Sequence, residues 1–201
     1  MRSVIAWLVR LITGARLCPT SASNHERSRI YFANHSSHLD TLVLWAALPS
    51  ESRERLRPAA AADYWGRTAL HSWLATRVLN AILIERQAPS KERDPIGCMV
   101  EALGSGSDVL IFPEGTRQLD GVMGTFKPGL FHLAKRCPNV ELVPVYLENL
   151  CRILPKGEIL PLPLIAGARI GSPISCLGES ESKPDFLQRA QSAVRALGPS
   201  T

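Results

Sequence analysis

No stretch of this 201-residue chain reaches the run of about 18 uninterrupted apolar residues that a membrane-spanning helix needs. Cysteine is sparse and scattered. Cys18, Cys98, Cys137, Cys151 and Cys176 are odd in number and contain no C-x-x-C, which argues against a disulfide framework or a cysteine zinc site and for a reducing cytosol. No G-x-S-x-G elbow is present, so a serine-nucleophile hydrolase has little support. Basic residues are not interleaved with aromatics, which speaks against nucleic acid. Repeats, low-complexity tracts and an interior linker are also missing, so one domain is expected.

What remains is a globular composition, 45% hydrophobic and 20% charged, with a net charge of +5. A mildly basic surface suits anionic partners such as phosphate-bearing substrates or acidic lipid. The N-terminus stands apart. Ile5, Leu8, Val9 and Ile12 fall at helical spacing, Trp7 and Leu11 widen the apolar face, and Arg2, Arg10 and Arg16 punctuate it. Met1 to Leu17 therefore reads as an amphipathic helix, lying either on anionic lipid or on its own domain. Arg10 interrupts the apolar core that a signal peptide would need.

The chain is organised around Ile30 to Asp40, IYFANHSSHLD. Its apolar opening predicts a buried strand, and Ser36-Ser37 precede the apolar-periodic segment Leu39 to Leu48, a helix whose start serine can cap. His35 then sits between strand and helix. In one continuous helix, five residues turn roughly 500°, leaving His35 and Asp40 about 140° apart. With His35 ahead of the helix and Asp40 in its first turn, the turn can bring them together. Asp40 would then fix one ring nitrogen as N–H and leave the other as a base. The plainer reading, a turn histidine and a first-turn aspartate, stands beside it.

Along the chain, Ser21 to Arg29 and Glu51 to Arg57 read as loops, and Ala59 to Ala62 as a short strand. A helix is expected from Gly66 to about Thr76, and a strand over Ala81 to Ile84. Pro95 to Leu103 reads as a helix, Asp108 to Phe112 as a strand and Leu130 to Arg136 as a helix. Glu141 to Tyr146 is expected as a strand interrupted by Pro144, residues 151 to 165 as irregular, Ala166 to Ile170 as a strand and Asp185 to Leu197 as a helix. Such alternation predicts an α/β fold, a single domain with a mostly parallel central sheet and helices on both faces. Parallel strands converge their carboxyl ends on one rim, which would gather His35, Arg86, Gly115 and Arg117, with Lys127 at the start of a later helix. Arginine suits bidentate phosphate recognition, and a glycine turn lets backbone donors approach an oxyanion.

These blocks resemble the glycerolipid acyltransferases of the lysophosphatidic acid acyltransferase type. Asn34-His35-Ser36-Ser37-His38-Leu39-Asp40 looks like their NH-x4-D block, and Phe112 to Arg117 matches FPEGTR outright. Phe126-Lys127-Pro128-Gly129 resembles F-K-x-G, and Val143-Pro144-Val145 the late proline block. Asn80 to Arg86 resembles G-x-x-F-I-x-R, but Asn80 stands where glycine is usual and Leu83 where phenylalanine is usual. All blocks occur in family order, over roughly residues 30 to 175.

The resemblance implies a glycerol-3-phosphate acyltransferase-like fold, with residues 1–20 as the N-terminal helix and 21–201 as the acyltransferase domain. It implies His35 as general base with Asp40 orienting it, and Arg86, Glu114, Gly115, Thr116, Arg117 and Lys127 at the acceptor's phosphate or polar head. Asn34 would support the turn, and Pro144 the acyl channel or sheet edge. The donor would be an acyl thioester, acyl-CoA or acyl carrier protein, with no cofactor, no metal and no covalent enzyme intermediate. The acceptor would be a lysophospholipid, first lysophosphatidic acid and otherwise a lysolipid such as a lyso-ornithine lipid. With no hydrophobic hairpin ahead of the histidine block, attachment is expected to be peripheral, on the cytoplasmic face of the inner or plasma membrane. Two other classes stay in view: a zinc hydrolase using His35, His38 and Asp40, and a non-catalytic lipid-binding protein.

Overall fold

The computed structural model describes residues 2–14, 16–18, 26–37, 39–85, 94–118, 122–148 and 167–199. The apolar runs of the sequence enter one sheet. Its strands are β1 (Arg16–Cys18), β2 (Arg29–Ala33), β3 (Leu56–Ala61), β4 (Ile82–Ile84), β5 (Asp108–Ile111), β6 (Glu141–Glu148) and β7 (Gly167–Ile170). The spatial order is β1-β7-β6-β2-β5-β3-β4. Strands β2 to β6 run parallel, β7 is antiparallel to β6, and β1 is parallel to β7.

Alternation inside the continuous apolar runs feeds two cores. Every residue of β2 is buried. Ile30 and Phe32 join one cluster, while Tyr31 and Ala33 join the other. β5 divides likewise, Val109 and Ile111 against Leu110. A strand covered on both faces needs apolar residues at every position, which is why these runs show no polar alternation. One face carries α1 (Arg2–Thr13), α2 (Asp40–Ala47) and the π-helical turn Leu74–Val78. The other carries α6 (Pro95–Gly104), α7 (Gly129–Arg136) and α8 (Lys183–Arg195). The expected single α/β domain, mostly parallel with helices on both faces, is what the chain forms.

Several expected elements differ. The charged segment read as a loop, Glu51 to Arg57, is mostly helix α3 (Ser50–Arg55), followed directly by β3. Its buried residues are Ser52 and Arg53, so it shows no apolar period. The helix expected from Gly66 to Thr76 is broken into α4 (Ala62–Trp65), α5 (Ala69–Trp73) and the π-helical turn. Thr68 starts α5, its hydroxyl accepting the His71 N–H at 3.1 Å. Pro144 does not interrupt β6. The Gly171 N–H donates to the Pro144 carbonyl at 2.9 Å, so the imide nitrogen of Pro144 faces the same side, one residue past the end of β7, and the ladder to β2 does not need its N–H.

The opening helix ends at Thr13 rather than Leu17, and Gly14 takes a left-handed φ of 61°. Ile5 and Val9 pack on the core, whereas Val4, Trp7, Leu8, Leu11 and Ile12 are exposed. Arg2 and Arg10 reach back to α2. Arg10 donates to the carbonyls of Ala46, Ala47 and Leu48 at the carboxyl end of α2, and Arg2 lies over the Trp45 ring. Residues 151–165 lie outside the described residues.

Candidate active site

The parallel ends of β2, β5, β3 and β4 meet at one rim, and a cleft of about 650 Å³ opens across it. Its first wall is the turn between β2 and α2. Asn34 leaves β2 and straps to the neighbouring strand β6, its Nδ2 donating to the Leu147 carbonyl at 2.9 Å and its Oδ1 accepting the Leu147 N–H at 2.7 Å. The next residue is thereby delivered at a fixed height above the sheet.

His35 Nδ1 lies 2.7 Å from Asp40 Oδ2. The carboxylate is fully buried, and its Oδ2 also accepts the Ser36 and Ser37 N–H groups at 2.7 and 3.0 Å. Each such charge-assisted bond is worth about 1.5–3 kcal/mol, enough together to hold a buried carboxylate in place. Helix start and histidine orientation are thus one construction. The expected serine cap is replaced: Ser37 Oγ accepts only the Leu39 N–H, at 3.2 Å, and the aspartate reaches backward instead. The imidazole stacks on Phe112 at 4.2 Å between ring centroids and lines the cleft, its side chain 20% exposed. With Nδ1 bound to the carboxylate, Nε2 is the nitrogen left for chemistry.

The second wall is the turn after β5. Gly115 has φ 70°, so the turn needs glycine for its conformation, and the Lys127 side chain lies close against it, where a Cβ would meet Nζ at 2.9 Å. Glu114 points away from the cleft and is 2% exposed. Its two oxygens accept the N–H groups of His35 at 2.8 Å and Gly124 at 2.9 Å. The His35 carbonyl accepts the Gln118 N–H at 2.8 Å, so the loop clamps the histidine's backbone from both sides. Burial pushes the Glu114 carboxyl above its ordinary range against the pull of those two donors.

His35, Gly115, Thr116, Arg117 and Lys127 line this one cleft, with Asp40 behind the histidine and Glu114 behind the loop. Arg86 and His38 lie outside the described residues. Pro144 lies in β6, across β2 from the cleft, and does not line it. Asn80 has φ 51°, the left-handed conformation that asparagine tolerates better than most residues, so it meets the backbone demand where the family motif has glycine. Sequence reading missed a third wall, formed after β3 by Asp63, Tyr64, Trp65 and Arg67. The rule that located His35, polar residues just past a parallel strand, applies equally to them. Placing the end of β3 inside an alanine run hid it. Ala59, Ala60, Ile84, Met99, Ile111 and Leu130 supply apolar lining.

A doubly covered, mainly parallel sheet that carries an oriented histidine–aspartate pair and an anion-receptive cleft on one rim defines an α/β protein with an enzyme-like site. The chain belongs to the Acyltransferase family, whose model matches residues 14–148. It is 33% identical over 149 residues to the human 1-acyl-sn-glycerol-3-phosphate acyltransferase alpha, covering 70% of this chain and 48% of that one. It is 29% identical over 134 residues to a chloroplastic 1-acyl-sn-glycerol-3-phosphate acyltransferase of Arabidopsis thaliana, covering 64% and 34%. A Pseudomonas aeruginosa 1-acyl-sn-glycerol-3-phosphate acyltransferase is 28% identical over 197 residues, covering 94% and 71%. The chain spans 34% of the length of the Arabidopsis relative and 48% of the human one. The crystal structure of the 1-acyl-sn-glycerophosphate acyltransferase PlsC from Thermotoga maritima shares the fold, with TM-score 0.73 and 20% identity over 98% of this chain and 79% of that one.

Proposed function

We propose that the protein transfers a fatty acyl group from an acyl thioester, acyl-CoA or acyl carrier protein, to the hydroxyl of a lysophospholipid, first 1-acyl-glycerol-3-phosphate, giving phosphatidic acid. The observation that carries this is the 2.7 Å contact of His35 with Asp40 at the mouth of a cleft lined by Arg117 and Lys127. His35 Nε2 takes the acceptor's hydroxyl proton as its oxygen attacks the thioester carbonyl, and Asp40 offsets the imidazolium charge. Collapse of the tetrahedral intermediate breaks the C–S bond, and the imidazolium returns the proton to the leaving thiolate. Arg117 and Lys127 hold the acceptor's phosphate, and the apolar lining receives hydrocarbon. Glu114 and Thr116 shape the loop that presents these groups.

Membrane contact belongs to the same reading. The exposed stripe Val4, Trp7, Leu8 and Leu11 faces away from the core, an arrangement suited to the surface of a bilayer. No helix of the described residues is long and apolar enough to cross a membrane.

The test is a panel of lysolipid acceptors assayed with both thioester carriers, reading product masses, on wild type and His35→Ala. Wild-type turnover should be highest with the phosphomonoester acceptor and fall about 10²- to 10⁴-fold in the variant, with its fold retained. Unchanged turnover in His35→Ala would refute the mechanism.

A further inference from the structure

The cleft carries a cation that the family's sequence blocks do not account for. Arg67 follows α4 and lines the same cleft as Arg117 and Lys127, but from the β3 side. Its guanidinium lies over the Tyr64 ring, 5.6 Å from the centroid. Tyr64 is flanked by both arginines: burial pushes its phenol up, and Arg117 and Arg67 pull it back. The cleft lining therefore carries two arginines from different strand ends, Arg67 after β3 and Arg117 after β5, with Tyr64 in contact with the first. Among the described residues neither Arg67 nor Arg117 forms an ion pair, and Asp63 is the one carboxylate in the lining against three cations.

We infer that Arg67 is a second phosphate-binding position, receiving a phosphate group of a substrate other than the one gripped at Arg117. The inference rests on the acyl-transfer reading, because that reaction brings together two anionic molecules. The acceptor carries a phosphomonoester, and a thioester donor carries the phosphate of its pantetheine arm. A single locus cannot hold both at once. The Gly115–Arg117 turn with Lys127 forms one locus on the β5 side, and Arg67 gives the other on the β3 side. The cation–π contact with Tyr64 positions the guanidinium while its N–H groups stay available for bidentate contact with phosphate oxygens.

The experiment titrates wild type, Arg67→Ala and Arg67→Lys by calorimetry with two unreactive probes, hexanoyl lysophosphatidic acid and desulfo-coenzyme A, alongside steady-state kinetics. Arg67→Ala should weaken one probe about tenfold, the loss of one charge-assisted contact, and leave the other within about twofold. Arg67→Lys should recover part of that loss, since it keeps the charge but not the fork. The KM of the matching substrate should rise by the same factor while kcat at saturation stays within about twofold. Loss confined to the coenzyme arm assigns Arg67 to the donor, as expected with the acceptor at Arg117 and Lys127, whereas loss confined to the lysophosphatidic acid arm would put the acceptor at Arg67 and overturn that division. If neither affinity changes while wild type still turns over, the inference falls and the acyl-transfer reading survives. If wild type fails to turn over any acceptor yet Arg67→Ala still weakens one probe, the phosphate position stands and the reaction assignment falls.

Discussion

The two ends of α2 are held by opposite chemistries, and only one of them makes a site. At the amino end a carboxylate, Asp40, gathers the N–H groups of Ser36 and Ser37 together with the His35 ring. At the carboxyl end a guanidinium, Arg10, gathers the carbonyls of Ala46, Ala47 and Leu48, with Arg53 adding a further bond to Leu48 at 3.2 Å. Each charge complements the helix macrodipole; Arg10 satisfies carbonyls that the helix leaves unpaired, and Asp40 satisfies N–H groups of the turn that leads into it. The difference lies in what else the charge touches. Asp40 leaves His35 facing an open cleft, whereas Arg10, itself exposed, bonds backbone carbonyls. A charge at a helix end becomes a functional group when it is buried and a titratable partner is interposed between it and solvent, as at Asp40.

The largest effect should come from separating those two roles at the amino end. Asp40→Asn keeps the side-chain size but removes the charge that stabilises the imidazolium. Turnover should fall about 10²- to 10⁴-fold with a much smaller change in thermal stability. Steady-state rates and thermal melts on the same preparation read both. A stability loss with full turnover would make the amino end a helix start like the other end, and the contrast would vanish. At the carboxyl end the order reverses. Arg10→Ala should lower stability by about 1–3 kcal/mol, several degrees in Tm, because carbonyls at the α1–α2 junction lose their donor. Its kcat on a short, soluble acceptor should stay within about twofold. The paired change Trp7→Glu with Leu11→Glu, on the outward side of the same helix, should leave Tm nearly unaltered and remove co-sedimentation with anionic liposomes. Undiminished liposome binding would assign membrane contact elsewhere.

The contrast also explains what could be read from the sequence. The amino end is built from residues five apart, so spacing and the geometry of a helical turn raise the His35–Asp40 contact beside the plainer reading, and the ordered family blocks favour it. Arg10 reaches carbonyls 36 to 38 residues away, and no local pattern marks an arginine as a helix cap. The same divide runs through the fold. Strands β2 and β5 were legible because doubly covered strands demand unbroken apolar runs. Helix α3 was not, because it buries Ser52 and Arg53 in place of an apolar stripe. Rim residues after β2 and β5 were found from parallel strand ends, and those after β3 were missed when that strand's limits blurred. Asn80 looked like a lapse from the family motif, but its φ of 51° makes it a substitute for glycine. Glu114 was assigned to the phosphate loop. That its carboxylate clamps the backbone of His35, 79 residues away, needed coordinates.

The smallest effect should come from that clamp. Glu114 is pushed above the ordinary carboxyl range by burial, so the folded protein holds this proton more tightly than the unfolded chain does. Its contribution to stability is therefore complete below the ordinary carboxyl pKa and is lost as pH rises through the higher folded value. Glu114→Gln removes this titration, and denaturant unfolding across that window should give a flatter stability profile than wild type. The amide also presents its NH2 to one of the two N–H donors, His35 or Gly124, so the histidine turn loosens and turnover should drop about tenfold. If the variant instead retains full turnover, Asp40 alone fixes His35. The amino end of α2 would then need no support from β5, and it would be as self-contained as the arginine cap at the other end.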